Sequence, residues 1–546
     1  MAATAPKKKD SGARLPIPLM VALPAAALLV TCLYEMLGRG ASLAEATSIR
    51  VTGTLLLCCC IFTFLCRLAR LALGLGGQVS AVARALVSEA TSTRIAPAFL
   101  FVLFSALAAL ALFDSPETPV RYLLQGFLSY SLVITSVLAG ILTLLLSCRT
   151  LSIELEDKLI ETIAVKPIGR GSYLAGKWMG LVILNGILLG VAVSAIYIFS
   201  VHHIARLPPR DERDSVIIRE EILTARELVP ARIEPPLETQ VERRLARLQE
   251  KDPESIERLA RRGHRHSHGA EGHPGLAEKD QLARARQSLR KDLARRSLSI
   301  SPGKSRSFSF AGLGALRDSG SPARVRYRLA SQPGRTPVTA RLTVTAGPAS
   351  RELTFTPSST GYFELNPADI DESGLLQLSI SNPADSTGAI IFSTRNGLEA
   401  LKTRGGFLGN LLRTMLTTWI KLCFLSILGL LCSSFLGFPV AVLLCGLVLL
   451  VASTSPFLLE AAELGRSADS PGGFFETFAA TTTQTLANVL SRYSEFDPAL
   501  LLIDGRTFSW GELWRCLLWI GVLWTGLSGI LAALIYKRRE LARIQV

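Results

Sequence analysis

The sequence predicts a mainly α, polytopic membrane protein of about eight transmembrane helices, with one inserted extracytoplasmic α+β domain containing a small β-sandwich. Three observations carry this. Of 546 residues, 49% are apolar and only 19% charged, against roughly 25% charged in an average soluble chain. The deficit is uneven, because several long runs carry almost no charge while 205–300 is dense in Arg and Glu. Beyond 322, apolar and polar residues alternate in short runs, the period of half-buried strands. This unevenness excludes a single soluble globule and a wholly disordered chain. The net charge is +15. Much of the Lys and Arg flanks apolar spans, where it sets membrane orientation. The expected surroundings are therefore membrane lipids, and no nucleic-acid partner is expected.

A helix needs about 20 apolar residues to cross the hydrocarbon core. Stretches of that kind lie near 17–37, 51–73, 96–113, 122–147, 178–200, 414–436, 438–456 and 514–536. The first has a basic lead (Lys7, Lys8, Lys9, Arg14) like a signal peptide. No clear small-x-small site closes it and a second span follows at once, so it reads as a retained helix. With the N-terminus in the cytoplasm, the inner segments 1–16, 67–95, 148–177 and 537–546 carry 17 Lys and Arg, and the outer segments 38–50, 114–121 and 457–513 carry 6. That bias predicts both termini inside and 201–408 outside. Four regions follow. Residues 1–95 form a transmembrane hairpin with a cytoplasmic amphipathic connector, and 96–200 the first half of a core with its cytoplasmic loop 148–177. Residues 201–408 form the extracytoplasmic insertion, and 409–546 the second half with the outer segment 457–513.

Within the insertion, 205–300 is charged, with helical spacing in Val241–Gln249 and Ser255–Arg262, and Ser, Arg and Gly over 295–320 read as a linker. Six alternating runs begin at Val325, Ala340, Glu352, Gly361, Leu376 and Ala389. Separated by Gly, Pro, Asn and Asp, they predict a sandwich over 322–396. All ten cysteines lie in or beside apolar spans, so the insertion has no disulfide framework. Cys58-Cys59-Cys60 would serve either as a soft-metal triad or as small apolar helix residues. The tract Gly263–His273 offers His264, His266, His268 and His273 as candidate metal ligands, since closely spaced imidazoles chelate. A solvated loop accounts for the same tract.

The inner stretch 151–180 reads LSIELEDKLIETIAVKPIGRGSYLAGKWMG. Leu151, Leu155, Leu159 and Ile163 recur every four residues, Ile160 widens the stripe, and Glu154, Glu156, Asp157, Lys158 and Glu161 cover the other face. The spacing predicts an amphipathic helix over 151–166, stopped at Lys166-Pro167. The pattern Glu-x-Glu, Ile-Glu-Thr, then Lys-Pro-Ile-x-Arg-x-x-Tyr-Leu-x-Gly-Lys-x-x-Gly resembles the first cytoplasmic loop of ABC-2 type transporter permeases. It is most similar to the multicopper-enzyme-maturation-like subgroup. Tyr536-Lys-Arg-Arg-Glu-Leu-Ala resembles the family's basic ending. The resemblance covers roughly 67–200 and 409–546. It implies a six-helix ABC-2 core preceded by an extra hairpin; that hairpin and the large insertion depart from the family.

The resemblance implies the permease subunit of an ATP-driven exporter in a bacterial cytoplasmic (inner) membrane. Its partners would be a separate cytoplasmic ABC ATPase and a second permease, as homodimer or heterodimer. The loop would dock on the ATPase through Glu154, Glu156 and Glu161. Lys166 and Pro167 would fix the lever's length, Arg170 would anchor it at the surface, and Gly176-Lys177 would lead into the next span. An interfacial helix lying on lipid headgroups is the alternative.

Gly171-Ser-Tyr-Leu-Ala-Gly-Lys177-Trp178 matches GxxxxGK, but a P-loop needs Ser or Thr after the Lys and a strand before it. No other phosphate loop, HExxH or GxSxG is present in the sequence. The chain is thus expected not to be an enzyme and to need no cofactor of its own, with ATP bound by the partner. Lys421 interrupts the sixth span, either lining a substrate path or snorkelling to the outer headgroups. In the outer segment, Phe475–Tyr493 reads as a helix and Phe496–Trp510 as a compact loop turning at Asp504-Gly505. A non-transport alternative is a membrane anchor that displays 201–408 for protein assembly or maturation.

Overall fold

The structure, a computed structural model, describes residues 43–93, 95–112, 117–156, 169–210, 214–233, 237–251, 285–290, 293, 298–319, 323–328, 338–344, 350–355, 360–384, 389–392, 397–465 and 493–538. The chain divides into two compact units. One comprises Met1–Ala225, Gly405–Ser455 and Val489–Val546; the other comprises Arg226–Arg404 and Pro456–Asn488.

The first unit is helical. Its elements in chain order are α1 (Leu43–Gly74), α2 (Gln78–Ser92), α3 (Ile95–Leu112), α4 (Val120–Glu156) and α5 (Arg170–Ile198). After α6 (Leu237–Lys251), which belongs to the second unit, come α7 (Phe407–Ser433) and α8 (Phe438–Gly465). The last helix, α9 (Trp510–Arg538), contains a π-helical stretch at Leu517–Trp524. Among the described residues, six segments are long and apolar enough to cross a membrane: Val51–Gly74, Ile95–Leu112, Val120–Glu154, Arg170–Arg206, Phe407–Ser433 and Trp510–Arg538. The apolar part of α8, Phe438–Thr454, is shorter, and the expected span at 17–37 lies outside the described residues.

Small residues decide which helices touch. On α2, Ala83, Leu86, Val87 and Ala90 are buried, the spacing of one helix face. That face meets Gly176 and Gly180 of α5. A Cβ on Gly176 would stand 2.7 Å from the Val82 Cβ and 2.8 Å from the Val79 carbonyl oxygen. The glycine pair thus lets two backbones approach, as small-xxx-small stripes do in membranes. The same device joins α4 and α7, where a Cβ on Gly429 would stand 2.7 Å from the Ser147 Cβ. These two helices run parallel, since Cys148 lies against the Gly429 carbonyl and Ser152 against that of Leu436. At α9, Ser509 and Glu512 form a reciprocal capping box, which satisfies two otherwise orphaned amides.

One expectation is corrected. Residues 151–156 do not begin a separate amphipathic helix; they are the end of α4. No Gly or Pro interrupts 141–156, and Leu151 and Ser152 are buried in the bundle, so the membrane helix simply continues. The remainder, 157–168, lies outside the described residues.

The second unit is built on three sheets. The four-stranded sheet has the order β1-β11-β5-β8, the five-stranded sheet β2-β4-β9-β6-β7 and the small one β10-β3. The strands are β1 (Thr224–Pro230), β2 (Arg232–Ile233), β3 (Ser299–Ile300), β4 (Ser305–Phe310), β5 (Ala323–Arg328), β6 (Val338–Val344), β7 (Ser350–Phe355), β8 (Thr360–Leu365), β9 (Leu376–Ser381), β10 (Ile390–Ile391) and β11 (Leu398–Gly406). Val325, Phe363 and Ala400 of the first sheet share one core with Phe308, Phe310, Leu378 and Ile380 of the second.

All six alternating runs of the sequence are strands, β5 to β10. The 295–320 stretch, expected as a linker, instead supplies β4, because Phe308 and Phe310 alternate behind a Ser- and Arg-rich composition and pair in register with Leu378 and Leu376. The 205–300 stretch likewise contributes β1, β2 and β3 besides α6, whereas Ser255–Arg262 and most of Phe475–Tyr493 lie outside the described residues. Across β5 and β11, Arg326 pairs with buried Glu399 at 2.9 Å. Burial works against that guanidinium's charge, but the Glu399 carboxylate and Tyr362 outweigh it and hold the group above its ordinary value. Fully buried Ile380 of β9 gives a graded check. Ile380→Val is expected to cost about 0.5–1.5 kcal/mol, read as faster proteolysis within 226–404 of the full chain. Gln377→Ala, on the other face of the strand, should leave the rate unchanged.

Candidate functional site

Among the polar groupings of the described residues in the helical unit, two bear on the expected site. The first joins the end of α4 to the start of α5. Glu154 extends one oxygen to the Lys177 ammonium at 2.5 Å and accepts a hydrogen bond from the Tyr173 hydroxyl on the other. Lys177 is only 5% exposed and also lies over the Tyr173 ring at 5.5 Å, inside the reach of about 6 Å of such contacts. Arg170 donates to the Lys537 carbonyl at 2.9 Å, which serves one of the orphan acceptors at the end of α9.

This geometry reassigns several expected coupling residues. Glu154 is not offered to a partner, because its carboxylate is consumed inside the bundle. Lys177 is its counter-ion, Gly176 is a packing glycine, and Arg170 ties two helix ends together. Glu156 ends α4. Glu161, Lys166 and Pro167 lie outside the described residues, as do His264, His266, His268 and His273. Gly171–Trp178 is continuous helix within α5.

The second place is a cavity of about 300 Å³ lined by α4, α7, α8 and the stretch Tyr493–Ala499. Its polar wall comes largely from α7, where Thr414, Thr417, Thr418 and Lys421 follow the spacing i, i+3, i+4, i+7, so all four share one helix face. The three threonines donate back to carbonyls of their own helix. Ser136 of α4, Ser453 of α8 and Asp497 complete the polar set, and Val133, Val137, Ile141, Leu422, Leu425 and Leu449 are apolar. Lys421 lies 4.9 Å from the centre of the Tyr493 ring. Among the described residues no carboxylate stands within ion-pair distance of its ammonium.

The stretch behind Tyr493 runs along α7. Asn410 donates to the Arg506 carbonyl at 2.7 Å and accepts from the Phe508 amide at 2.9 Å, and Arg413 donates to the Phe508 carbonyl at 3.1 Å. Residues 506–508 therefore sit at the first turns of α7, while Tyr493 sits beside Lys421, roughly 16 Å further along the axis at 1.5 Å per residue. A left-handed Gly505, with φ of +67° and Glu221 packed against it, closes the turn expected at Asp504-Gly505. Lys421 was visible in the sequence; its threonine neighbours were visible only as a spacing, and Tyr493 and Asp497 had no local signal. Among the described residues no cluster of His, Cys, Asp and Glu is arranged to hold a metal ion. No protein-family model, no curated protein and no solved structure matches this chain.

Proposed function

We propose that this chain is the membrane-spanning permease subunit of an ABC-2 type ATP-driven transporter, an exporter coupled to a separate cytoplasmic ATPase. It would lie in a bacterial inner membrane with both termini cytoplasmic. The observation that carries the reading is the Lys421 cavity. A half-buried ammonium among apolar helices is costly unless it faces a partner or a path, and a passive anchor has no use for one. The cavity is also assembled from both halves of the chain, so a relative movement of the halves would reshape it.

Energy would enter at the 148–177 loop. The Glu154–Lys177–Tyr173 clasp supports this role, because it ties the ends of the loop to α4 and α5, and α4 lines the cavity. The alternative, an anchor displaying the β-rich unit, is favoured by the compactness of 226–404 but leaves the polar stripe on α7 without a purpose.

The test is co-purification. Since Glu154 is an internal partner, it is left intact and Glu156→Lys/Glu161→Lys is compared with wild type. Turning charge pairs at a partner surface into like-charge contacts costs several kcal/mol. Normal membrane yield with at least tenfold less bound ATPase is expected. Retention at wild-type stoichiometry, or a wild-type chain that brings down no ATPase, would overturn the reading.

A further inference from the structure

We infer that the Lys421 cavity binds a monoanionic amphiphile, a molecule with one negative charge on its head and an alkyl chain behind it, admitted sideways from the bilayer between α4 and α8. This names the substrate class of the proposed permease and rests on that reading for the direction of movement.

The head is argued from charge. An ammonium in a low-dielectric interior gains strongly from an anion and pays heavily without one. Among the described residues Lys421 touches the Tyr493 ring, and Asp497 acts on it as a counter-charge beyond ion-pair distance, leaving N–H donors for a ligand. The threonine hydroxyls on the same face are committed to helix carbonyls. The Ser136 hydroxyl, uncommitted among the described residues, adds one further donor. Asp497 shares the cavity and holds the Ala499 amide at 3.1 Å. Its negative charge faces any second charge on the head, which selects a monoanion over a dianion.

The tail and its entrance are argued from the walls. Val133, Val137 and Ile141 line the cavity, yet they are 54%, 53% and 50% exposed on α4. The apolar wall therefore continues onto the outer face of the helix, where a hydrocarbon chain meets no polar barrier. A volume of about 300 Å³ is at the lower end for ligand sites and suits a head with the first part of a single chain. A fatty carboxylate and a phosphodiester lipid share this chemistry.

The experiment uses the full chain in phosphatidylcholine nanodiscs with three diazirine-bearing probes: palmitate, phosphatidylglycerol and hexadecanol. Labelled peptides are mapped by mass spectrometry. At least one anionic probe should label 132–141 or 414–425, and which of the two does so identifies the source. Lys421→Met should reduce that labelling at least tenfold, Lys421→Arg should keep it, and hexadecanol should label weakly in every variant. Gly140→Leu is a second variant that keeps Lys421; a Cβ there meets nothing closer than Leu449 at 4.0 Å, so the side chain grows into the cavity and should also abolish labelling. Failure of both anionic probes in wild type overturns the inference. So does labelling of Lys421→Met or Gly140→Leu within twofold of wild type, or equal labelling by the alcohol. Loss of this inference with the ATPase still bound leaves a permease for another substrate; cavity labelling without any ATPase leaves the site and removes the permease.

Discussion

Glu154→Ala is expected to destabilise the helical unit by about 3–5 kcal/mol, the penalty for leaving a buried charge without its partner. Lys177 would lose the carboxylate it holds at 2.5 Å, and Tyr173 would lose the acceptor for its hydroxyl. Lys177→Met should do less harm, because Glu154 is 18% exposed at its side chain and reaches water more readily. The double change Glu154→Leu/Lys177→Met should recover most of the loss, since apolar residues of similar volume often replace a buried pair at no cost. Detergent-solubilised melting curves of the four proteins measure this. A double variant as unstable as Glu154→Ala would show that the pair is not what holds α4 to α5.

The second large effect is expected at Gly429. Its Cβ position is already occupied by Ser147 across the α4–α7 contact, with the Ser147 Cβ 2.7 Å away. Gly429→Val must push apart two helices that are buried there, at a cost of about 3 kcal/mol by the usual range for overpacking. Moving the small residue to the other helix offers the control. Ser147→Gly/Gly429→Ser restores the total volume and should recover most of the monodisperse yield that Gly429→Val loses, measured by fluorescence-detected size exclusion. A Gly429→Val variant that melts like wild type would mean that α4 and α7 are not in this contact.

How much of this was legible in the sequence depends on the length scale of the cause. Six of the eight expected spans were legible as long apolar helices among the described residues, because hydropathy is a property of each segment alone. The strands β5 to β10 were legible for the same reason, as their alternation is local. β4 was missed because its Ser and Arg content hid two phenylalanines whose role appears only opposite Leu376 and Leu378. Glu154 was assigned to the wrong surroundings for a tertiary reason. Its helix face is decided by Lys177, 23 positions later, and no periodicity within 151–166 reports that. The cavity lay between these extremes. The Thr414-Thr417-Thr418-Lys421 stripe is written in the spacing of α7, whereas Tyr493 and Asp497 reach it from a segment more than seventy residues away.

The clasp between Glu154 and Lys177 also has a consequence for chain entropy. An ion pair between residues 23 apart closes a loop, and the ends of that loop stay together whatever happens to the residues between them. A partner that grips the intervening segment therefore meets a tethered chain, not a free one, and is spared the cost of bringing its ends together. Loop-closure entropy grows only logarithmically, by about 0.6 kcal/mol for each doubling of length. The distance across the base of this loop is accordingly set by two side chains and does not depend on the length of the chain between them.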